Sequence, residues 1–520
     1  MKPRARTAAS LVLLFLAVSV SIVVPTAAAQ RAPSGAAEPA DLAALEKALA
    51  SEDAKVRVHA IIAISKHGAE GLPLLAKAFT NPDEQVRLRA VSFYAQIAGP
   101  AGLPALAPMA RDDSTRVLHE LLRALREWNT PDAISLFLKI LKEGPQTFRP
   151  YAMSLLEGVS DPQIVPVLAE MARSDPSPLV RSGAYYALSH TKDPAAENQA
   201  HVTLLEENDL RIREGALAYV ASLGCDKARN SILPALAVAE PMADFRETAV
   251  TTLARTCGEA AIPPLLETLR WKGEPGKPAP PTPAMKITLL ELLARHPAPS
   301  ARTQITDLLG DPDATVRRYA VLAMAALGGD SSAGFVRLAK DPAPNVRSTV
   351  LDVLGRFPGE SSTTALLGAL SDPVLDVRLT ALRSLGALRD RNATGPLLEL
   401  LKEKDPLLRS EAILALGGIG DTKALPALLA AAQDADGLVR DAVARALGEM
   451  KDPKAIEPLA RLARDSDPGI RLTAVRSIGK TGHPLGRQAL EAALKDADSL
   501  VRAAAREALS TLPAGPTKKP

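Results

Sequence analysis

Between Asp436 and Ala455 apolar residues fall at Val439, Val443, Ala446, Leu447 and Met450, the i, i+4, i+7, i+8, i+11 spacing of one helical face. Ahead of them Leu425, Leu428 and Leu429 repeat that spacing over a shorter span. The pattern predicts a short helix A, a turn around Asp436 and a longer helix B. Near copies of the second half return at Asp467 (DPGIRLTAVRSIGKTG) and at Asp498 (DSLVRAAAREALS).

One Arg marks the period. Arg57, Arg87, Arg149, Arg181, Arg213, Arg246, Arg317, Arg347, Arg378, Arg409, Arg440, Arg471 and Arg502 share its position, and Leu118 and Lys286 complete a series of fifteen. Steps run from 30 to 33 residues, except for one of 40 before Lys286, and the residue before this position is apolar every time. Self-similarity at such a period signals a stacked repeat array. One helical hairpin cannot bury its apolar face alone, so each repeat must be stabilised by its neighbours.

Local chemistry fits the helix pairs. Asp311-Pro312, Asp341-Pro342, Asp405-Pro406 and Asp467-Pro468 place an N-cap acceptor before a Pro that is harmless at a first helical position. They mark the start of helix B or of a turn before it, and Asp161-Pro162 and Asp452-Pro453 do so for helix A. An Arg in the first turn of a helix opposes the macrodipole and calls for nearby acid. The turn aspartates supply it, which predicts an Asp and Arg ladder along the stack that serves architecture and is no active site. Small residues at one helix B position (Ala320, Ala381, Ala412, Ala474, Ala505) allow close helix approach.

These residues resemble HEAT repeats, in particular the short class seen in phycobilin lyases (the E-Z type). Pro73, Pro104, Pro234, Pro264, Pro426 and Pro458 fall in the predicted A helices as the Pro of HEAT units does, where they are expected to kink the helix. The resemblance covers about residues 41 to 512 and implies an all-α, right-handed α-solenoid of about fifteen stacked two-helix repeats. It also implies that the B helices line the concave face, the usual binding surface of such arrays.

The flanks read differently. Lys2, Arg4 and Arg6 precede an apolar run from Leu11 to Val24, followed by an A-x-A site at Ala27 to Ala29. This is the layout of a secretory signal peptide over 1–29, too short for a comfortable membrane span. Export to the periplasm or outside the cell is expected, with no stable membrane span after cleavage. Residues 30–40 read as a flexible spacer and 513–520 as a short basic tail; the end repeats look uncapped, which leaves head-to-tail association open.

Cleavage after Ala29 removes three of the 62 basic residues and none of the 59 acidic ones, leaving 59 of each sign. A neutral mature chain argues against a nucleic-acid binder. No HExxH, CxxC, GxSxG, P-loop or GxGxxG occurs, so no cofactor, metal or catalytic site is assigned. One His-Glu dipeptide, His119-Glu120, falls short of the several that deoxyhypusine hydroxylase, a HEAT enzyme, uses for iron. Gly417-Gly418-Ile419-Gly420 reads as a helix end with its C-terminal glycines.

Aromatic residues make up 3% of the chain, and many lie in repeats one to seven. Phe148, Phe245 and Tyr94 fall in core slots, whereas Tyr151 and Tyr186 take outward positions of helix B. Carried over by position, the outward slots of repeats two to five hold Arg89, His119, Glu120, Arg123, Tyr151 and Tyr186, a candidate partner site rich in residue types common at binding hot spots. Cys225 and Cys257, 32 residues apart in loops that follow adjacent B helices, are a disulfide candidate or two buried thiols. In repeat eight the inter-helix turn becomes Gly273 to Pro283, five of whose eleven residues are Pro: a partner-recruiting excursion, a hinge or a tolerated insertion. Repeats nine to fifteen are aromatic-poor and regular, suggesting recent duplication or a structural role. The function expected is an exported, non-enzymatic scaffold of the cell envelope that holds a protein or peptide partner; the alternative is a lyase-type enzyme or subunit acting on a tetrapyrrole-like ligand.

Overall fold

The computed structural model describes residues 41–159, 161–238, 243–272, 278–328 and 332–512. The expected signal peptide and spacer, residues 273–277 of the Pro-rich turn and the basic tail lie outside the described residues. Every regular element among the described residues is an α-helix or a short 3-10 turn. They form two compact blocks that divide at Gly144. The first holds repeats one to three and the A helix of repeat four, Pro131–Glu143. The second starts with that repeat's B helix, Arg149–Leu156, and continues through repeat fifteen, whose B helix is Ser499–Thr511.

Repeat thirteen shows how the sequence makes one hairpin. Asp421 accepts from the N–H of Lys423 and opens a 3-10 turn, Thr422–Ala424, which leads into helix A, Leu425–Ala431. Helix A buries Leu425 and Leu428. Asp436 then accepts from the N–H of Leu438 and caps helix B, Gly437–Met450, which buries Val439, Val443, Ala446 and Leu447. At its far end Lys451 takes a left-handed conformation, φ 53°, that closes the helix. The residue before the Arg position is buried in fourteen repeats; Val56, in the first described repeat, is 40% exposed because no described repeat packs ahead of it.

The prolines depart from expectation. Pro73, Pro104, Pro264, Pro426 and Pro458 stand in the first turn of helices Leu72–Lys77, Leu103–Leu106, Ile262–Thr268, Leu425–Ala431 and Ile456–Leu462. There an absent N–H leaves no intrahelical bond unmade, so they start A helices and do not kink them. Only Pro234, within Cys225–Ala237, lies inside a helix.

Neighbouring repeats are joined by a repeated rung. Arg317 donates from Nη1 to the carbonyls of Asp311 and Pro312 in its own turn (2.8 and 3.0 Å). Through Nε and Nη2 it holds both carboxylate oxygens of Asp341, in the turn of the next repeat, at 2.8 Å each. Asp341 in turn accepts the N–H of Ala343, ordering its own turn. The same bidentate rung links Arg87 to Asp112, Arg347 to Asp372, Arg409 to Asp434, Arg440 to Asp465 and Arg471 to Asp496. Lys286 reaches Asp311, Arg149 reaches Asp175 and Arg181 reaches Glu207 by single contacts. The carboxylate lies 24 to 26 residues beyond its cation each time, a spacing set by one helix B, one turn and one helix A.

Among the described residues of the second block, the joints of Arg246 and Arg378 show no such carboxylate, and Arg213 has further contacts of its own. Arg213 is 1% exposed, donates to the carbonyl of Leu204 and lies 4.5 Å from the Phe245 ring centroid. Arg246 sits over the ring of Trp271 at 5.3 Å, and Trp271 stands 25 residues on, where a carboxylate would be. Its guanidinium donates to the carbonyls of Ala279 and Pro280, so the described end of the Pro-rich turn supplies acceptors to the ladder. Arg378 bonds only its own turn, at the carbonyl of Asp372, and its Nε is buried without a partner.

Glycine sets how closely the B helices approach in repeats ten to fifteen. Gly355, Gly386, Gly417, Gly448 and Gly479 each stand eight residues past the marker position and face Ser384, Ala415, Ala446, Ser477 and Ala508 of the next B helix. A Cβ on any of them would come within 2.6 to 2.9 Å of that neighbour. Of the glycines read as a helix end, Gly417 and Gly418 are therefore packing residues inside Pro406–Ile419, and only Gly420, φ 69°, is the cap.

Candidate interaction surface on the B helices

Outward slots of the B helices alternate with sealed ones. On the B helix of repeat five, Pro178–Thr191, Tyr185 is fully buried and its hydroxyl pairs with that of Thr203 at 2.7 Å. Its neighbour Tyr186 is 40% exposed. Tyr151, on the B helix of repeat four, is 38% exposed, with its ring 6.1 Å from that of buried Phe148. Phe245 is buried as its slot predicts, and Tyr94 is half-buried with its ring edge-on to Phe79.

Acid surrounds Tyr186. Burial first, then the carboxylates of Glu214 and Glu157, push its phenol above the ordinary tyrosine range, so it stays a donor. Burial and the nearby Asp244 carboxylate likewise hold the Glu214 carboxyl above its usual range. His190 lies 3.8 Å from Glu157 on the same face.

Arg89, His119, Glu120 and Arg123 belong to the first block, whereas Tyr151 and Tyr186 belong to the second. Arg89 and Arg123 are exposed, and His119 and Glu120 are half-buried. Glu120 and Arg123 form an ion pair at 2.6 Å along their own helix, Thr115–Trp128, and line a groove of about 220 Å³ with Glu127 and Trp128. Burial pulls the Glu120 carboxyl upward, but hydrogen bonds from Arg123 and Ser92 outweigh it and leave the group below its ordinary range. Burial lowers the His119 imidazole, which favours its neutral form.

Cys225 opens the A helix Cys225–Ala237 and Cys257 ends the B helix Ala243–Cys257, so both stand at helix termini and not in loops. Their Cα atoms are 4.8 Å apart and the sulfurs are bonded. The bond closes repeat seven on itself, tying the start of its A helix to the end of its B helix.

A larger surface feature lies in the regular half of the array. The B helices Leu375–Leu388, Pro406–Ile419, Gly437–Met450 and Pro468–Thr481 flank an open trough of about 670 Å³. Its walls carry Arg389, Arg445, Arg476 and Lys480, against one acid, Glu449. The signal available in the sequence was the slot five residues past the marker, which reads Arg383, Leu414, Arg445 and Arg476 over these repeats. No described helix is long and apolar enough to cross a membrane.

Comparison with known proteins agrees with the architecture. The sequence profile of HEAT repeats matches residues 42–126, 134–200, 365–444 and 427–510. No curated protein matches the chain. Among solved structures it is similar to Kap121p, with a TM-score of 0.53 and 15% identity over 87% of this chain and 57% of that one. The RanGTP-bound form of Kap121p gives a TM-score of 0.54 at 14% identity over 87% and 57% of the two chains. The form bound to Nup53p gives 0.51 at 14% identity over 86% and 57%. This chain thus spans less than two thirds of the karyopherin's length, and identities so low speak to fold alone. With over half of its residues inside the matched profile and a helical pair at every period, the chain belongs to the HEAT repeat family.

Proposed function

We propose that this protein is a non-enzymatic scaffold, exported to the cell envelope, that holds a protein or peptide partner on the outward face of its B helices. The observation that carries the reading is the exposure of Tyr151 and Tyr186 on neighbouring B helices, with Leu179 exposed beside the second, while Phe148 and Tyr185 of the same segments are sealed into the core. A large ring held on a rigid helix loses little freedom when a partner covers it. The repeated charges, in contrast, are mostly engaged in joining one repeat to the next, which makes the array a stiff support. Kap121p, a solenoid of similar fold, is known in complexes with RanGTP, Nup53p and Pho4p, and that use of the fold supports a binding role here by analogy. The charged start, apolar run and A-x-A site of residues 1–29 support export, as does a disulfide, a bond that oxidising compartments preserve. The kinship to the short, phycobilin-lyase type of HEAT repeat rests on repeat length and is carried as architecture only.

The test is affinity capture by the mature chain from an envelope extract, followed by reconstitution with the purified partner. Tyr151→Ala/Tyr186→Ala is expected to weaken the reconstituted complex at least tenfold. Unchanged affinity in that variant would remove the site from repeats four and five. A coloured small molecule in place of a protein would overturn the scaffold reading.

A further inference from the structure

We propose that the trough across repeats eleven to fourteen is a second binding site and that its ligand is an acidic, extended peptide segment. The inference goes beyond the tyrosine site of repeats four and five and does not depend on it.

The argument begins with which cations are already engaged. Along the ladder nearly every Arg has a partner in its own turn or the next repeat. In the trough Lys480 pairs with Glu449, and Arg445 bonds Asp441 on its own helix at 2.7 Å. Arg389 and Arg476 are exposed and have no carboxylate partner among the described residues. Lining residues alone give four cations against one acid, in a chain whose mature form balances its charges. The excess is local, and it faces a concavity.

The shape of that concavity follows from the packing. Gly386 and Gly418 let adjacent B helices come together, since a Cβ on Gly418 would meet the Gly386 carbonyl at 2.8 Å. Small residues such as Ala387, Ala446 and Ser477 complete a floor from which Leu414, 37% exposed, stands out. A ligand in this place meets an apolar patch at the base and guanidinium groups on the walls. Four helices packed at about 9 Å give a trough on the order of 27 Å long, which matches about eight residues of extended chain at roughly 3.3 Å each. Guanidinium groups bind carboxylates through two parallel hydrogen bonds. An extended backbone suits the open length, and an apolar side chain of the peptide suits Leu414. None of the lining residues is aromatic, so the trough has no platform on which bases could stack.

The probe is a fluorescein-labelled ten-residue peptide of glutamates with one central leucine, titrated with the purified mature chain and followed by anisotropy. Saturable binding is expected, weakened by raised salt and reduced at least tenfold in Arg445→Glu/Arg476→Glu. Arg389→Gln/Arg476→Gln, which disturbs no ion pair of the fold, is expected to cost several-fold and covers the case in which the charge reversal fails to fold. Tyr151→Ala/Tyr186→Ala is expected to bind the probe normally, so failure here and failure of the tyrosine site are read separately. The proposal is overturned by absence of saturable binding, or by equal affinity in the arginine variants. It is equally overturned if single-stranded DNA of the same length binds as tightly and is lost in the same variants.

Discussion

At the scale of the residue, each rung aspartate has two roles. Asp465 accepts Nε and Nη2 of Arg440 at 2.7 and 3.1 Å, and the N–H of Asp467 at 3.0 Å. The Arg440 hydrogen bond, ahead of the opposing effect of burial, holds its carboxyl below the usual carboxylate range. The folded pKa is therefore lower than the unfolded one, so this contribution to stability is complete above the ordinary carboxylate pKa. It is lost as pH falls through the folded value. Arg440→Ala leaves a mostly buried carboxylate with only the Asp467 N–H and the Ser466 hydroxyl as donors and is expected to destabilise the chain by about 2–3 kcal/mol at neutral pH. Below about pH 4, the ordinary carboxylate pKa, its melting temperature should fall less steeply than that of the wild type. Thermal melts across an acid pH series check both, and parallel curves would show that the rung is not coupled to protonation. Arg440→Lys should fall between the two, because an ammonium cannot make the paired contacts.

Elements were legible where a period revealed them and illegible where packing between repeats decided. The helix pairs, their Asp caps and the Arg ladder followed from spacing alone. The A-helix prolines were misplaced because the chain makes a three-residue 3-10 turn before each of several A helices, as at Pro453–Ala455, which moves the helix start to one or two residues before the Pro. Trp271 in a carboxylate's place was visible only to a count of 25 residues from Arg246. The trough needed the B helices side by side, although its row of outward cations lay open in the sequence. At this scale Gly417 gives a direct test. Its Ala substitution puts a Cβ 2.6 Å from the Ala446 Cα and should destabilise by about 1–3 kcal/mol, although Ala is the better helix former. Gly395, where a Cβ would meet nothing within 4 Å, should tolerate or gain from the same change. Equal melting of the two variants would mean that close approach of the B helices contributes nothing.

For the whole molecule, stability is the sum of repeats and of the contacts between neighbours, so one weakened joint acts locally. Repeat seven carries the Cys225–Cys257 bond between its own two helices, which closes a loop of 32 residues and is worth roughly 3–4 kcal/mol by chain entropy. Reduction, or Cys257→Ser, is expected to raise amide exchange in Cys225–Ala237 and Ala243–Cys257 while repeats eleven to fifteen keep their protection. Uniform loss of protection along the chain would contradict independent joints.

The ladder also governs how the array yields to a mechanical load. In the second block the rungs lie in series, each spanning one interface at the turn edge, so tension along that stack passes through them in succession. Bidentate rungs resist shear in two directions at once, since sliding either way breaks one of the paired bonds. A pull is then concentrated at the softer joints, Arg246 over Trp271 and Arg378 with no acid beyond it among the described residues, while the covalent link next to the first of these holds the helix pair of repeat seven together. Stretched, the array would give way at chosen points and keep its remaining repeats folded.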